Sequence, residues 1–300
     1  MAKSFKALLE LAQKKGPKKV AVAVAQDRDV LSAIKNATDL NIAIPVLVGD
    51  KDQILAVANE LSFDLTNIEV IHEVDTTMAC RIATELVSSG KADVLMKGLI
   101  DTSVIMKQVL DGEIGLRTGN VISHVAVFDV PTYHKVFIVT DAAMNISPDL
   151  KQKKEIIENA VVLAKSLDIE TPKVAVLAAK EKVSPKMEAT VHAKELADMN
   201  RRGEITGCLV DGPLALDNAV SKESAILKGI DSEVAGDADI LLTPDIDAGN
   251  VLYKALTFLG NAKSAGLIVG TTAPIVLTSR ADNEEAKLNS IALAVLMASR

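Results

Sequence analysis

The feature that most constrains the fold is a rhythm in which short, unbroken runs of Val, Ile, Leu and Ala alternate with segments of helical periodicity. "KKVAVAVA" at 18–25 is followed by the helical pattern "DVLSAIKNATDLN" and then by "IPVLVGD" at 44–50. The rhythm continues with a helix near 51–61, the run "IEVIHEV", a helix through "MACRIATELVSSG" and the run "ADVLMKG", joined by short connections rich in Gly, Asp or Asn. Apolar runs without in/out alternation belong to strands buried on both faces, as in parallel sheets covered by helices. Aromatics make up only 2% of the chain and Trp is absent, so its cores must be built from aliphatic side chains. The pattern predicts an α/β fold.

One interruption stands out. After the helix "SVIMKQVLD", the runs "VISHVAVFDV" and "KVFIVTDA" are separated only by a Pro-containing turn, which predicts an antiparallel hairpin. Beyond "NISPDL" a long helix "KQKKEIIENAVVLAKSLD" opens a second alternating set, with strands "KVAVLAA", "GCLVDG", "DILLTPD", "SAGLIVG" and "APIVLT". Three hundred residues suffice for two such domains. We therefore expect two three-layer α/β/α domains with mostly parallel sheets and a cleft between them. The first should span 1–143, with about 285–300 returning to it, and the second 144–284.

Charge and motif exclusions narrow the function. The net charge of −7 gives no electrostatic reason to expect nucleic acid. Cys80 and Cys208 lack any CxxC or His spacing and read as reduced core residues, which suggests the cytoplasm. The N-terminal segment sets Phe5, Leu8, Leu9 and Ala12 at helical spacing with charges between, unlike a signal peptide. No window approaches the roughly 18 apolar residues of a membrane span. The first strand is not followed by GxGxxG, no GxxxxGK[ST] occurs, and Ser279 lies in no GxSxG elbow. His72, His124, His134 and His192 show no metal-binding spacing.

Ligand crevices of open α/β sheets form at the carboxyl ends of the strands, where helix N-termini and free amides converge. The polar stretches at those ends are "MKGLIDTS" (96–103), "TDAAMN" (140–145), "AAKEKVSPKM" (178–187), "VDGPLALD" (210–217), "TPDIDAGN" (243–250) and "TSRAD" (278–282). With no nucleotide, metal or hydrolase signature, their chemistry reduces to positioning and charge stabilisation.

"VDGPLALDNAV", "GDADILLTPDIDAGNVLYKAL" and "PIVLTSRAD", in this order, resemble the phosphate acetyl/butyryl transferase family. "AAKEKVSPKM" and "TSRADNEEAKLNS" are similar to its butyryl branch. The resemblance implies reversible conversion of butyryl-CoA and phosphate to butyryl phosphate and CoA. It also implies an isocitrate/isopropylmalate dehydrogenase-like fold and a homodimer or higher homo-oligomer. CoA would be a substrate, and no cofactor or metal is expected. Alternatives are a phosphate acetyltransferase, a metal-dependent decarboxylating dehydrogenase of the same fold, and a non-catalytic acyl-phosphate or CoA sensor.

That reaction needs a base for the CoA thiol and cations for the departing phosphate. Arg280, with its planar fork, is the first candidate for the phosphate or carbonyl oxygen, and Ser279 can hydrogen-bond the thiol or the developing oxyanion. In acetyl members the proposed base is an aspartate seven residues after the serine, a position held here by Ala286. Asp282 is the nearest carboxylate, but it equally fits a helix N-cap with Glu285 at the reciprocal position of a capping box. Lys97 and Gly98 at a strand end, and Thr102 and Ser103 at a helix start, suit anion binding on the other wall of the cleft. Lys107 falls where the family has an arginine, and Arg117 and Ser123 match another family stretch. In the second domain Asp217, Asp245, Gly249 and Asn250 are expected along the CoA path, with the glycine letting the chain approach the pantetheine. Asp211 and Asp247 read as turn-formers.

Overall fold

The computed structural model describes residues 4–278 and 282–299 and divides into two compact units. One comprises Lys6–Asn120 with Ala265–Arg300, the other Met1–Phe5 with Val121–Ser264. The chain begins with α1 (Phe5–Lys15), β1 (Lys18–Ala23), α2 (Arg28–Asp39), β2 (Ala43–Gly49), α3 (Lys51–Glu60), β3 (Glu69–His72), α4 (Thr76–Ser88), β4 (Val94–Lys97) and α5 (Thr102–Val109). Then come β5 (Ser123–Asp129), β6 (Phe137–Thr140), α6 (Leu150–Ser166), β7 (Lys173–Leu177), α7 (Glu188–Arg201) and β8 (Leu209–Leu214). The short helices α8 (Leu216–Val220) and α9 (Lys222–Leu227) lead to β9 (Ile240–Leu242) and α10 (Ile246–Phe258). The chain closes with β10 (Lys263–Val269), β11 (Ile275–Val276) and α11 (Glu284–Ala298).

The strand order of the first unit is β3-β2-β1-β4-β11-β10, parallel except that β10 runs against β11. In the other unit the order is β5-β6-β9-β7-β8, parallel except for the β5–β6 hairpin that the Pro-containing turn predicts. The strand interiors are aliphatic: Val20, Ala21, Val22, Ala23, Val94, Leu95 and Met96 are all fully buried. The Asp-rich connections have a local cause. Asp27, Asp50, Asp75, Asp149 and Asp245 each cap the following helix by accepting a first-turn backbone N–H.

The units do not follow the division at 143/144. The hairpin β5–β6 groups with the later strands, because β6 pairs with β9. β10 and β11, expected in the second domain, group with the earlier ones, because β11 pairs in parallel with β4 through Ile275–Leu95 and Val276–Met96.

Candidate active site

That pairing determines which predicted stretches meet. β4 and β11 run side by side, so Lys97 and Gly98 at the end of β4 and Leu277 and Thr278 after β11 emerge at the same sheet edge. The sequence had assigned them to different domains. A cavity of about 170 Å³ opens there, lined by Asp27, Asp29, Lys97, Gly98, Thr278 and Lys287 among others. Ser279 and Arg280 lie outside the described residues.

Lys97, the last residue of β4, is only 6% exposed, and its Nζ donates to the carbonyls of Ile100 (2.9 Å) and Gly98 (3.3 Å). Gly98 is a glycine for a steric reason. A Cβ there would stand 2.1 Å from the Val24 carbonyl oxygen and 2.6 Å from that of Ala23. The close approach lets Gly98 N–H donate to Ala23 and Leu99 N–H to Val24, tying the ends of β1 and β4 together. α5 then starts at Thr102, with Asp101 at its N-cap and the exposed Thr102 and Ser103 in its first turn. Lys107 is exposed in the last turn of α5, where its charge also complements the helix dipole. Arg117 is exposed and forms an isolated antiparallel bridge with Thr271.

At α11 the structure separates two roles that the sequence left joined. The N-cap is Asn283, whose side chain accepts the Ala286 N–H at 2.9 Å. Asp282 precedes the cap, so the capping role read for it belongs to its neighbour. Lys287 donates from Nζ to the Asp282 carbonyl and lies 3.8 Å from the Asp29 carboxylate. Sequence reading passed over Lys287. The available signal was its position one helical turn before Ile291, on the face of α11 that the structure buries.

The remaining candidates belong to the other unit. Ser123 is fully buried, and its hydroxyl accepts a hydrogen bond from Asn159 at 3.0 Å, so its visible role is in the core. Asp245 caps α10 by accepting the Ala248 N–H at 2.9 Å. The room that a side chain at Gly249 would need is filled by the chain itself, with the Asp141 carbonyl oxygen 2.4 Å and Thr243 Oγ1 2.8 Å from an ideal Cβ. Asn250 Nδ2 donates to the Ala142 carbonyl at 3.2 Å, so Gly249 and Asn250 together seat α10 on the turn after β6. Asp217 accepts from Ser224 Oγ at 2.7 Å and pairs with Lys228 at 3.1 Å; these two hydrogen bonds hold its carboxyl below the usual range.

Elsewhere in this unit Lys153, 4% exposed, shares a 3.1 Å hydrogen bond with His192 Nδ1. Burial lowers the pKa of both groups, and for His192 the Lys153 charge lowers it further. Both cysteines are free and buried, and burial pushes each thiol up to about 11. Neither is therefore a thiolate nucleophile near neutral pH. Among the described residues no group of three or more His, Cys, Asp or Glu gathers as metal ligands, and no helix is long and apolar enough to cross a membrane.

Residues 4–78 and 72–295 match the family described as phosphate acetyl/butaryl transferase. A phosphate butyryltransferase from Clostridium beijerinckii is 52% identical over 100% of this chain and 99% of its own. A phosphate acetyltransferase from Thermotoga maritima is 49% identical over 97% of this chain and 98% of its own. The crystal structure of a branched-chain phosphotransacylase from Enterococcus faecalis superposes with a TM-score of 0.83 at 37% identity, covering 94% of this chain and 99% of that one. The chain belongs to the phosphate acetyl/butaryl transferase family and is a phosphate acyltransferase.

Proposed function

We propose that the chain converts butyryl-CoA and phosphate reversibly to butyryl phosphate and CoA. The observation that carries this reading is the β4–β11 pairing, which leads Lys97, Gly98 and Thr278 to one sheet edge, combined with the butyryltransferase name of the C. beijerinckii relative.

In the direction of CoA acylation, Asp282 takes the thiol proton and the sulfur attacks the acyl carbonyl carbon. A C–S bond forms, the C–O bond to phosphorus-bound oxygen breaks, and its electron pair leaves on phosphate. Arg280 offers paired donors to the phosphate oxygens, Lys97 adds a second positive charge, and Ser279 donates to the oxyanion that forms on the carbonyl. The α5 N-terminus at Thr102 and Ser103, with the exposed Lys107 and Arg117, serves the phosphates of CoA. In the other unit Asp217 and the start of α10 line the CoA path. No metal and no cofactor besides the substrate CoA takes part.

The partners are small molecules, with neither nucleic acid nor membrane, and the working place is the cytoplasm. A homodimer or higher homo-oligomer is supported by exposed apolar side chains at Ile226, Leu227, Val251, Phe258 and Leu259.

Acetyl transfer is the second reading, favoured by the T. maritima relative. A series of acyl-CoA substrates with phosphate, read by thiol release, separates the two. Each methylene in an apolar pocket is worth about 1–3 kcal/mol, so butyryl-CoA should exceed acetyl-CoA by about tenfold or more in kcat/KM. Equal or better turnover of acetyl-CoA would overturn the butyryl assignment.

A further inference from the structure

Lys287 is placed where helix stability does not ask for it. It is 4% exposed and sits just past the first turn of α11, a helix end whose dipole favours anions. Glu284 and Glu285 in the first turn meet that preference; Lys287 does not. A buried ammonium is costly unless its donors and charge are satisfied. Among the described residues, its Nζ donates back five residues to the carbonyl of Asp282 and approaches the carboxylate of Asp29 at the start of α2, 3.8 Å away and itself largely exposed.

Three segments therefore converge on this one side chain. The start of α2 contributes Asp29, the end of β4 contributes Lys97 and Gly98 across the shared cavity, and the start of α11 contributes Asp282. α2 and α11 are joined a second time where Asn36 donates to Glu284. The backbone of Asp282 is thus braced from inside the helix that follows it, while Asn283 does the capping.

We propose that Lys287 is a positioning residue for acyl transfer, holding the main chain of Asp282 so that its carboxylate meets the CoA thiol. The inference rests on the reading of Asp282 as the base. Loss of the brace misplaces the base without removing any group that binds phosphate or CoA, so turnover should fall while both KM values hold.

The test uses the full chain carrying Lys287→Met, Lys287→Arg, Asp282→Asn and the Lys287→Met/Asp282→Asn pair. Thiol release from butyryl-CoA is measured against phosphate concentration, and melting temperature is measured in parallel. Lys287→Met should lose about ten- to a hundredfold in kcat, the order of loss that misplacing a reacting group produces. Its KM for phosphate should stay within about twofold, because uniform binding is untouched. Lys287→Arg, which can still donate to the carbonyl, should recover most of the loss. In the Asp282→Asn background Lys287→Met should cost almost nothing more, since residues that act as a unit are non-additive. A raised KM for phosphate at unchanged kcat would make Lys287 an anion ligand and overturn the proposal. So would full additivity, or a Lys287→Met enzyme that is as active per folded molecule as the parent. A fully active Asp282→Asn variant would instead remove the base itself, and with it the role for which Lys287 is proposed.

Discussion

Lys135 and Lys287 are about equally buried, at 7% and 4% exposure, yet their surroundings differ in kind. Lys135 stands just before β6, on the amino-terminal side of its sheet. Its Nζ donates to the Asp237 carbonyl at 2.9 Å and pairs with the carboxylates of Asp239 at 2.6 Å and Asp237 at 2.9 Å. Lys173 adds a 2.6 Å bond to Asp237, and His134 another at 2.9 Å. Every donor there has a near acceptor. Among the described residues, Lys287, beside a cavity at the carboxyl ends of β4 and β11, meets one carbonyl and one carboxylate at the limit of pairing. Full pairing on the amino side reads as structure. A lysine that grips the Asp282 carbonyl on the carboxyl side, where α/β sheets hold their ligands, fits the positioning role proposed for Lys287.

The comparison breaks most visibly at Lys135. Lys135→Met leaves Asp239 a buried carboxylate without its lysine, and such breakage costs about 3–5 kcal/mol. Denaturant unfolding should show a loss of that size, with activity per folded molecule unchanged. On the functional side, Asp282→Asn should lower kcat by about two orders of magnitude, the usual worth of a general base. Its melting temperature should hold, because Asn283 supplies the cap. Arg280→Lys keeps the charge but loses the fork and should cost about tenfold or more in kcat/KM, or about 1.4 kcal/mol. Asn283→Ala should cost about 1 kcal/mol of stability through the lost cap.

The smallest effect is the acid limb of stability. Burial alone would raise the Asp237 carboxyl, but hydrogen bonds from Lys173, Lys135 and His134 hold it well below the usual range. A carboxyl depressed in the folded state contributes stability that is complete above its unfolded value near 4 and fades as pH falls toward the folded one. Melting temperature measured below about pH 4 should therefore fall less steeply in Asp237→Asn than in the parent, and the two slopes should converge above it.

Much of the fold was legible because its signals are local. Aliphatic runs, helical periodicity and the Pro-containing turn each speak within a dozen or so residues, and they correspond to β1–β4, α2–α5 and the β5–β6 hairpin. Strand partnership is not local. Nothing within "APIVLT" announces that it pairs with "ADVLMKG", some 180 residues earlier, and so β10 and β11 were expected in the wrong unit. The site shows the same limit at finer grain. Asp282 and Asn283 are adjacent and equally good N-caps, so sequence cannot choose between them, whereas the Asn283–Ala286 hydrogen bond does. Gly249 carried no sign that its space would be taken by the Asp141–Ala142 backbone. Lys287 was hidden because a lysine in a helix ordinarily reads as solvated.

The most direct assay combines purified protein, butyryl-CoA and inorganic phosphate and follows free thiol and acyl phosphate together. Thiol release should require phosphate, match butyryl phosphate formation one for one, reverse when CoA and butyryl phosphate are supplied, and survive exhaustive chelation. Thiol release that proceeds equally without phosphate, or that yields free butyrate, would contradict the proposed reaction.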